Sequence, residues 1–360
     1  MEEPDFDRNG GRRLSRSRRV NAEMIWREGF AEDPMGGIKR KRDLRGRQGK
    51  IQVDKLPDVL GEGRSGIVVG VSRRTCEVEP LDHPDTTVEC SYSPRLRLTQ
   101  ESLLAVGDKV EIHALPGSGW LLTSIQPRRT RISRPGPDAR DHLDIVVAAN
   151  LDVLVIVASC DRPAFHPRLV DRFLVTAQLG GVEPMIFLNK SDLAPLPDLD
   201  TYRRMGIPVV AGSANTGEGL PELQERIGTR WAAFAGSSGV GKSSLVRAMI
   251  PDAAVEIGEV RRKDGRGRHT TTRSGVFRLP GGGRIIDTPG IRELALHRLS
   301  SIELQLYFSD FDAYFGKCRF NDCLHREEPG CAVASAVERG EIHADRWSSY
   351  LRILESIGAT

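Results

Sequence analysis

From about Gly63 to Ile125 apolar residues alternate with polar ones in short bursts separated by Gly, Pro, Asp and Ser, the rhythm of strands joined by turns. The pattern predicts five strands, at Gly66–Val71, Thr75–Val78, Thr87–Ser91, Lys109–Leu115 and Trp120–Ile125. Five strands of this length suit a small β-barrel, and the OB-fold is the five-stranded barrel most used on nucleic acid. Tyr92 and Trp120 suit either its core or a base-stacking surface. A Pro- and Arg-rich joint follows, from Pro127 to Pro137.

After Ile145 the rhythm changes to strand alternating with helix. Leu151–Ala158 is a continuous apolar run, and Arg168–Leu179 has helical spacing that ends at Gly180-Gly181. Met185–Leu188, Pro208–Ala211, Ala232–Ala235 and Ile285-Ile286 read as further strands, while Leu220, Leu223 and Ile227 share one helical face. This alternation predicts an α/β domain, a parallel sheet covered by helices, with ligand loops at the carboxyl ends of its strands. Helical spacing returns at Ile302–Phe315, Ala332–Arg339 and Ala344–Ile357. The expected organisation is therefore multidomain: an arm over residues 1–58, an OB-like barrel over 59–128, an α/β domain over 129–298 and a helical metal-binding domain over 299–360.

The strand ending at Ala235 runs into Gly236-Ser237-Ser238-Gly239-Val240-Gly241-Lys242-Ser243, which fits the phosphate-binding loop, with Ser244 following in the helix. Glycines let several backbone N–H groups aim at one anion, Lys242 would reach the outer phosphates, and Ser243 would ligate Mg²⁺. Asn189-Lys190-Ser191-Asp192 follows another strand and matches a guanine-recognition pattern. The Asp192 carboxylate would accept two parallel hydrogen bonds from guanine while Lys190 lies over the ring; adenine would leave that carboxylate unpaired. Ser213-Ala214 fits the accessory guanine loop, and Asp287-Thr288-Pro289-Gly290 supplies an Asp for Mg²⁺ and a Gly amide for the γ-phosphate. The Thr270-Thr271-Thr272 run between the phosphate loop and Asp287 is where a switch threonine should sit, its hydroxyl closing the Mg²⁺ shell.

The order of these motifs carries information of its own. The base-recognition segments at 189 and 213 precede the phosphate loop at 236, whereas ordinary small GTPases have the reverse, so the domain reads as a circularly permuted P-loop GTPase. Permutation is tolerated because the termini of a compact domain lie close together. Where many GTPases place a water-orienting Gln after the Gly of the last motif, this chain has Ile291, so slow intrinsic hydrolysis is expected. His269 is the candidate for positioning the water and His297 a weaker one; the basic, Gly-rich Arg261–Arg268 stretch could order on RNA or phosphates.

Cysteine use adds a second chemistry. Cys318, Cys323, His325 and Cys331 lie within fourteen residues and offer three thiolates and an imidazole, the donor set of one closed, structural zinc site. Lys317, Arg319 and Arg326 beside it could face phosphates, while Cys76, Cys90 and Cys160 read as ordinary buried thiols. The net charge of +3 conceals an asymmetry: residues 8–50 hold fourteen Lys or Arg against five Asp or Glu. That arm, poor in apolar residues, suits disorder and contact with RNA phosphates. No apolar run is long enough to span a membrane and no leader pattern begins the chain, so a cytoplasmic location is expected.

Taken together, the motif order, the Gly-x-Ser-Gly-Val-Gly-Lys-Ser-Ser loop, the His269-Thr270-Thr271-Thr272 run and Cys-x4-Cys-x-His-x5-Cys resemble the ribosome small subunit-dependent GTPase A family over roughly residues 60–355. The resemblance implies an N-terminal OB-fold, a permuted GTPase domain and a C-terminal zinc domain. It also implies late maturation of the small ribosomal subunit, rRNA contacts, GTP hydrolysis stimulated by that subunit, and His269 and Thr271 as its hydrolytic and Mg²⁺-linked residues. The expected protein is a monomer that meets the subunit and other assembly factors. A second reading, an RNA-binding scaffold that senses GTP with incidental hydrolysis, differs in that His269→Ala would leave release from the ribosome untouched.

Overall fold

The computed structural model describes residues 61–72, 75–84, 86–92, 104–115, 119–134, 145–250, 275–287, 296 and 299–358. The arm over 1–58 lies outside the described residues. Strands β1 (Gly63–Val71), β2 (Thr75–Pro80), β3 (Val88–Tyr92), β4 (Lys109–Ala114) and β5 (Trp120–Ile125) close into a barrel in the order β1-β2-β3-β5-β4. β3 and β5 run parallel and the other pairs antiparallel, the arrangement of an OB-fold. Alternate positions point inward, so Val68, Val78, Cys90, Val110, Ile112 and Leu122 form the barrel core. Trp120 packs partly buried against it, with the Arg64 guanidinium over its ring at 5.1 Å.

The joint expected at Pro127–Pro137 is more ordered than its composition suggests. β6 (Arg131–Arg134) pairs antiparallel with β7 (Ile145–Ala149), and Arg128 grips the buried Asp108 of the barrel with both Nε and Nη2, at 2.7 and 2.8 Å. Thus the barrel's exit is fixed by a bidentate ion pair where the sequence showed only Pro and Arg.

The central sheet has six strands in the order β10-β9-β8-β11-β13-β12: β8 (Val153–Ser159), β9 (Glu183–Asn189), β10 (Val209–Ala211), β11 (Trp231–Ala235), β12 (Gly275–Arg278) and β13 (Arg284–Asp287). All neighbours are parallel except the β12–β13 edge hairpin. Every residue of β8 is buried, as the continuous apolar run requires of a central strand covered on both faces. The period of two sorts its neighbours: Leu154, Ile156, Ile186, Leu188 and Ala233 face helix α1 (Pro167–Leu179) and the short α2 (Asp200–Arg204). Val153, Val155, Met185, Phe187 and Phe234 face α3 (Leu220–Ile227) and α4 (Lys242–Met249).

The region expected as a helix at Ile302–Phe315 is instead two 3-10 turns, Leu304–Tyr307 and Ser309–Tyr314. They meet at Phe308, whose φ of −118° and ψ of 86° break the helical path. The ring of Phe308 stacks on Phe311 and meets Tyr350 edge-on, at 5.4 and 5.2 Å. Around them fold α5 (Ala332–Glu338) and α6 (Ala344–Gly358), and Val175 of α1 joins the same core. No helix among the described residues is long and apolar enough to cross a membrane.

Candidate functional site

Strands β10, β9, β8 and β11 are consecutive and parallel, so the loops after β9, β10 and β11 emerge together at one end of the sheet. After Ala235 the chain turns at Gly236, where a Cβ would stand 2.3 Å from the Val157 carbonyl oxygen. Gly241 has φ of +99°, and a Cβ there would meet Asn189 Nδ2 at 2.2 Å. Only glycine fits at either position. Between them lie Ser237, Ser238, Gly239 and the buried Val240; α4 then opens with Lys242, Ser243 and Ser244. Lys242 Nζ arches back and donates to the carbonyls of Gly236 and Ser237, at 2.7 Å each. The ammonium is thereby held across the mouth of the glycine loop.

Asn189 joins the loops. It is 2% exposed at the end of β9; its Nδ2 donates to the Val240 carbonyl at 2.8 Å, and its Oδ1 accepts from the Ala214 N–H at 2.9 Å. One side chain thereby fixes the phosphate loop against the Ser213-Ala214 loop. The buried Ser213 Oγ accepts from the N–H groups of Asn215 and Thr216, at 3.1 and 3.3 Å, shaping that second loop from within. Lys190 takes a left-handed backbone, φ +64°, and its Nζ donates to the carbonyls of Asp161, at 3.1 Å, and Arg162.

Asp192 is exposed, its carboxylate open to a ligand. Cys160 lies beside it and is only partly buried, unlike Cys76 and Cys90; burial pushes its thiol up, and the Asp192 charge pushes it further. Ser191 Oγ donates to the Glu218 carboxylate at 3.2 Å, tying the two base-side loops a second time. Glu218, Asp161 and Arg162 carry no motif and were invisible in the sequence.

Asp287 closes β13 in register with Gly275, on the strand next to β11. His269, Thr271 and Gly290 lie outside the described residues, as do Arg261–Arg268, Thr270, Thr272, Ile291 and His297.

The cysteine-rich stretch forms a separate centre. Sγ of Cys318, Cys323 and Cys331 and a ring nitrogen of His325 all lie within 4.8 Å of one another. Nδ1 of His325 is 3.6 Å from Cys318 Sγ and 3.4 Å from Cys331 Sγ, close to the ~3.5 Å edge that tetrahedral zinc-ligand bond lengths imply. His325 Nε2 donates to Gln305 Oε1 at 2.9 Å, which sets the tautomer and leaves the Nδ1 lone pair toward the thiols. Burial pushes the Cys323 thiol up to about 12 and lowers His325, so charge gathers in this pocket only with a cation to balance it. The group can hold one metal ion.

The loop is fixed from outside by Trp347 Nε1 donating to the His325 carbonyl and the Tyr350 hydroxyl donating to that of Leu324, at 2.8 and 2.9 Å. Glu328 accepts from the N–H groups of Leu324 and Arg326, at 2.9 and 2.7 Å. Lys317, Arg319 and Arg326 are exposed.

A phosphate loop after β11, preceded in the chain by the segments after β9 and β10 that it faces in space, defines a circularly permuted GTPase. The comparisons agree. The model of the RsgA GTPase family matches residues 125–297. The small ribosomal subunit biogenesis GTPase RsgA 1 of Vibrio vulnificus is 36% identical over 336 residues, covering 89% of this chain and 93% of that protein. Among solved structures, YjeQ from Thermotoga maritima aligns with a TM-score of 0.64 and 30% identity, covering 83% of this chain and 100% of that one. YloQ, a circularly permuted GTPase, aligns at 0.62 with 27% identity, covering 85% and 98%. This chain belongs to the RsgA GTPase family, and its activity is GTP hydrolysis.

Proposed function

We propose that the protein binds GTP across the loops after β9, β10 and β11, hydrolyses it slowly alone, and is stimulated by the small ribosomal subunit during that subunit's late maturation. The observation that carries the reading is the pair of Asn189 hydrogen bonds, which holds a phosphate loop and two base-side loops as one cradle. Asp192 would select guanine, with Lys190 along the ring and the Ala214 amide at the base oxygen. Gly236 to Ser244 would take the phosphates, the Gly290 amide the γ-phosphate, and Ser243, Thr271 and Asp287 the Mg²⁺. His269 would position water in place of the Gln that Ile291 replaces.

The metal at Cys318, Cys323, His325 and Cys331 is zinc on this reading, since three thiolates and an imidazole in a closed tetrahedral set suit zinc best. The working divisions are the barrel over 59–128, the GTPase over 129–298 and the zinc domain over 299–360, behind a basic arm. Relatives named for small-subunit biogenesis support the partner, and the basic arm and barrel would supply the rRNA contacts. The protein acts in the cytoplasm, as a monomer.

The test is GTP turnover by the purified protein with and without purified small subunits, with large subunits as the control. Stimulation of ~10³-fold lies within the range that partners give other GTPases. Equal turnover with small and large subunits would overturn the assignment.

A further inference from the structure

In the β12–β13 hairpin Arg278 and Arg284 are register partners, two guanidinium groups directly opposite each other across an antiparallel pair. Like charges so placed disfavour the pairing. The compensating anion comes from the barrel: Glu79, in β2 and 6% exposed, gives Oε2 to Arg278 Nη2 at 2.7 Å and Oε1 to Arg284 Nη2. Arg278 Nη2 also donates to the carbonyl of Pro84, just past β2, so this arginine meets the barrel twice. Arg284, on the other strand, lies over the Trp231 ring at 5.0 Å, and Trp231 begins β11, the strand that ends at the phosphate loop.

The hairpin occupies a telling place in the chain. Its first strand begins four residues after Thr271 in the chain, and β13 carries the chain from Arg284 to Asp287, three residues or ~10 Å away. Both segments expected to meet Mg²⁺ and the γ-phosphate are therefore covalent extensions of a hairpin clamped at its turn end by one barrel carboxylate. We propose that Glu79 is a positioning residue for GTP hydrolysis, holding this hairpin in register and passing a shift of the RNA-bound barrel to the segments at the hairpin's open end. The inference rests on the GTPase reading above and deepens it: the barrel is a relay as well as a docking module.

The experiment measures turnover at saturating GTP over a titration of small subunits, for wild type, Glu79→Ala and Glu79→Asp. Coupling between sites commonly amounts to ~5–150-fold, so the ratio of saturating stimulated to intrinsic turnover should fall about tenfold in Glu79→Ala, with partial recovery in Glu79→Asp. The subunit concentration for half-stimulation and the affinity for GTP should stay within about twofold. A merely adhesive Glu79 would instead raise the half-stimulating concentration and leave the saturating ratio unchanged, which would overturn the proposal. Should Glu79→Ala fail to fold, Arg278→Gln, whose side chain is 45% exposed, is read by the same criterion. A wild-type chain that small subunits do not stimulate would overturn the GTPase–subunit reading and this inference together; a stimulated wild type with an equally stimulated Glu79→Ala would overturn this inference alone.

Discussion

Arg346 of α6 and Asp171 of α1 form a buried ion pair, Nη1 to Oδ1 at 2.5 Å, that fastens the metal-binding end of the chain to the back of the GTPase sheet. Arg346 Nε also reaches Asp310 Oδ2 at 2.6 Å, and its guanidinium lies 4.5 Å over the Phe308 ring. Burial pushes the Asp171 carboxyl up, the Arg346 charge opposes that shift, and the two carboxylates hold Arg346 charged despite its own burial. Removing the arginine alone would strand two acids. Arg346→Met should cost about 3–5 kcal/mol in denaturant unfolding, and adding Asp171→Leu should recover part of it, since a buried pair replaced whole by apolar groups is often neutral. A double variant less stable than Arg346→Met alone would show that the pair does not behave as a unit.

Asn189 is expected to matter for nucleotide binding through geometry, without touching guanine itself. Asn189→Ala leaves the buried Val240 carbonyl without its partner, at a cost on the order of 1–3 kcal/mol, and frees the half-buried Ala214 N–H from the tether. Part of that loss should appear as weaker binding of GDP and GTP alike, by about tenfold or more, because the tether holds the cradle whatever the number of phosphates. Titration with a fluorescent guanine nucleotide checks this; loss of GTP binding with GDP binding intact would place Asn189 in γ-phosphate sensing instead.

Asp192 provides the specificity test. Exposed at the head of the site, it has the room to accept from guanine N1–H and the exocyclic amine. Asp192→Asn should shift preference from GTP toward xanthosine triphosphate, because an amide can donate to the xanthine oxygen that replaces the amine. A site that reads such a bond can discriminate by ~10⁴-fold. Competition between the two nucleotides in a binding assay decides it, and unchanged GTP preference would remove the guanine assignment.

These residues also show where the sequence was legible. The seven-residue apolar strand β8 and the motifs placed after β9, β10 and β11 give the permuted sheet directly, because central strands have no polar face to confuse the period. The edge strand β12 has four residues, and β6 lies in an Arg- and Pro-rich stretch with Ile132 as its one fully buried side chain, so neither rises above a loop. Leu304, Phe308 and Phe311 have helical spacing, yet Leu304 and Phe311 sit on two separate 3-10 turns with Phe308 at the break between them, and the rings of Phe308 and Phe311 pack against Tyr350. Spacing records which residues are buried together and leaves the backbone path between them open. The same limit hid Glu79, whose partners are about two hundred residues away in sequence.

Gln305 was hidden for a related reason, as a polar residue within an expected helix. It accepts from His325 Nε2 at 2.9 Å and so decides which nitrogen faces the thiols. His325 sits in a left-handed conformation, φ +57°, and this bond is the one that holds its Nε2. Gln305→Leu should therefore weaken metal binding by ~10–100-fold, the usual effect of losing a histidine's outer partner, with all four ligands retained. Competition against a chromophoric chelator measures it. Stripping the metal altogether should expose the aromatic cluster of Phe308, Phe311 and Tyr350, which His325 edges at 5.6 Å from Phe311, and loosen α5 and α6 while the sheet holds. Hydrogen exchange would locate that loss; protection falling equally in β8 and β11 would mean that the metal loop and the sheet unfold as one unit, with the Arg346–Asp171 pair transmitting the loss.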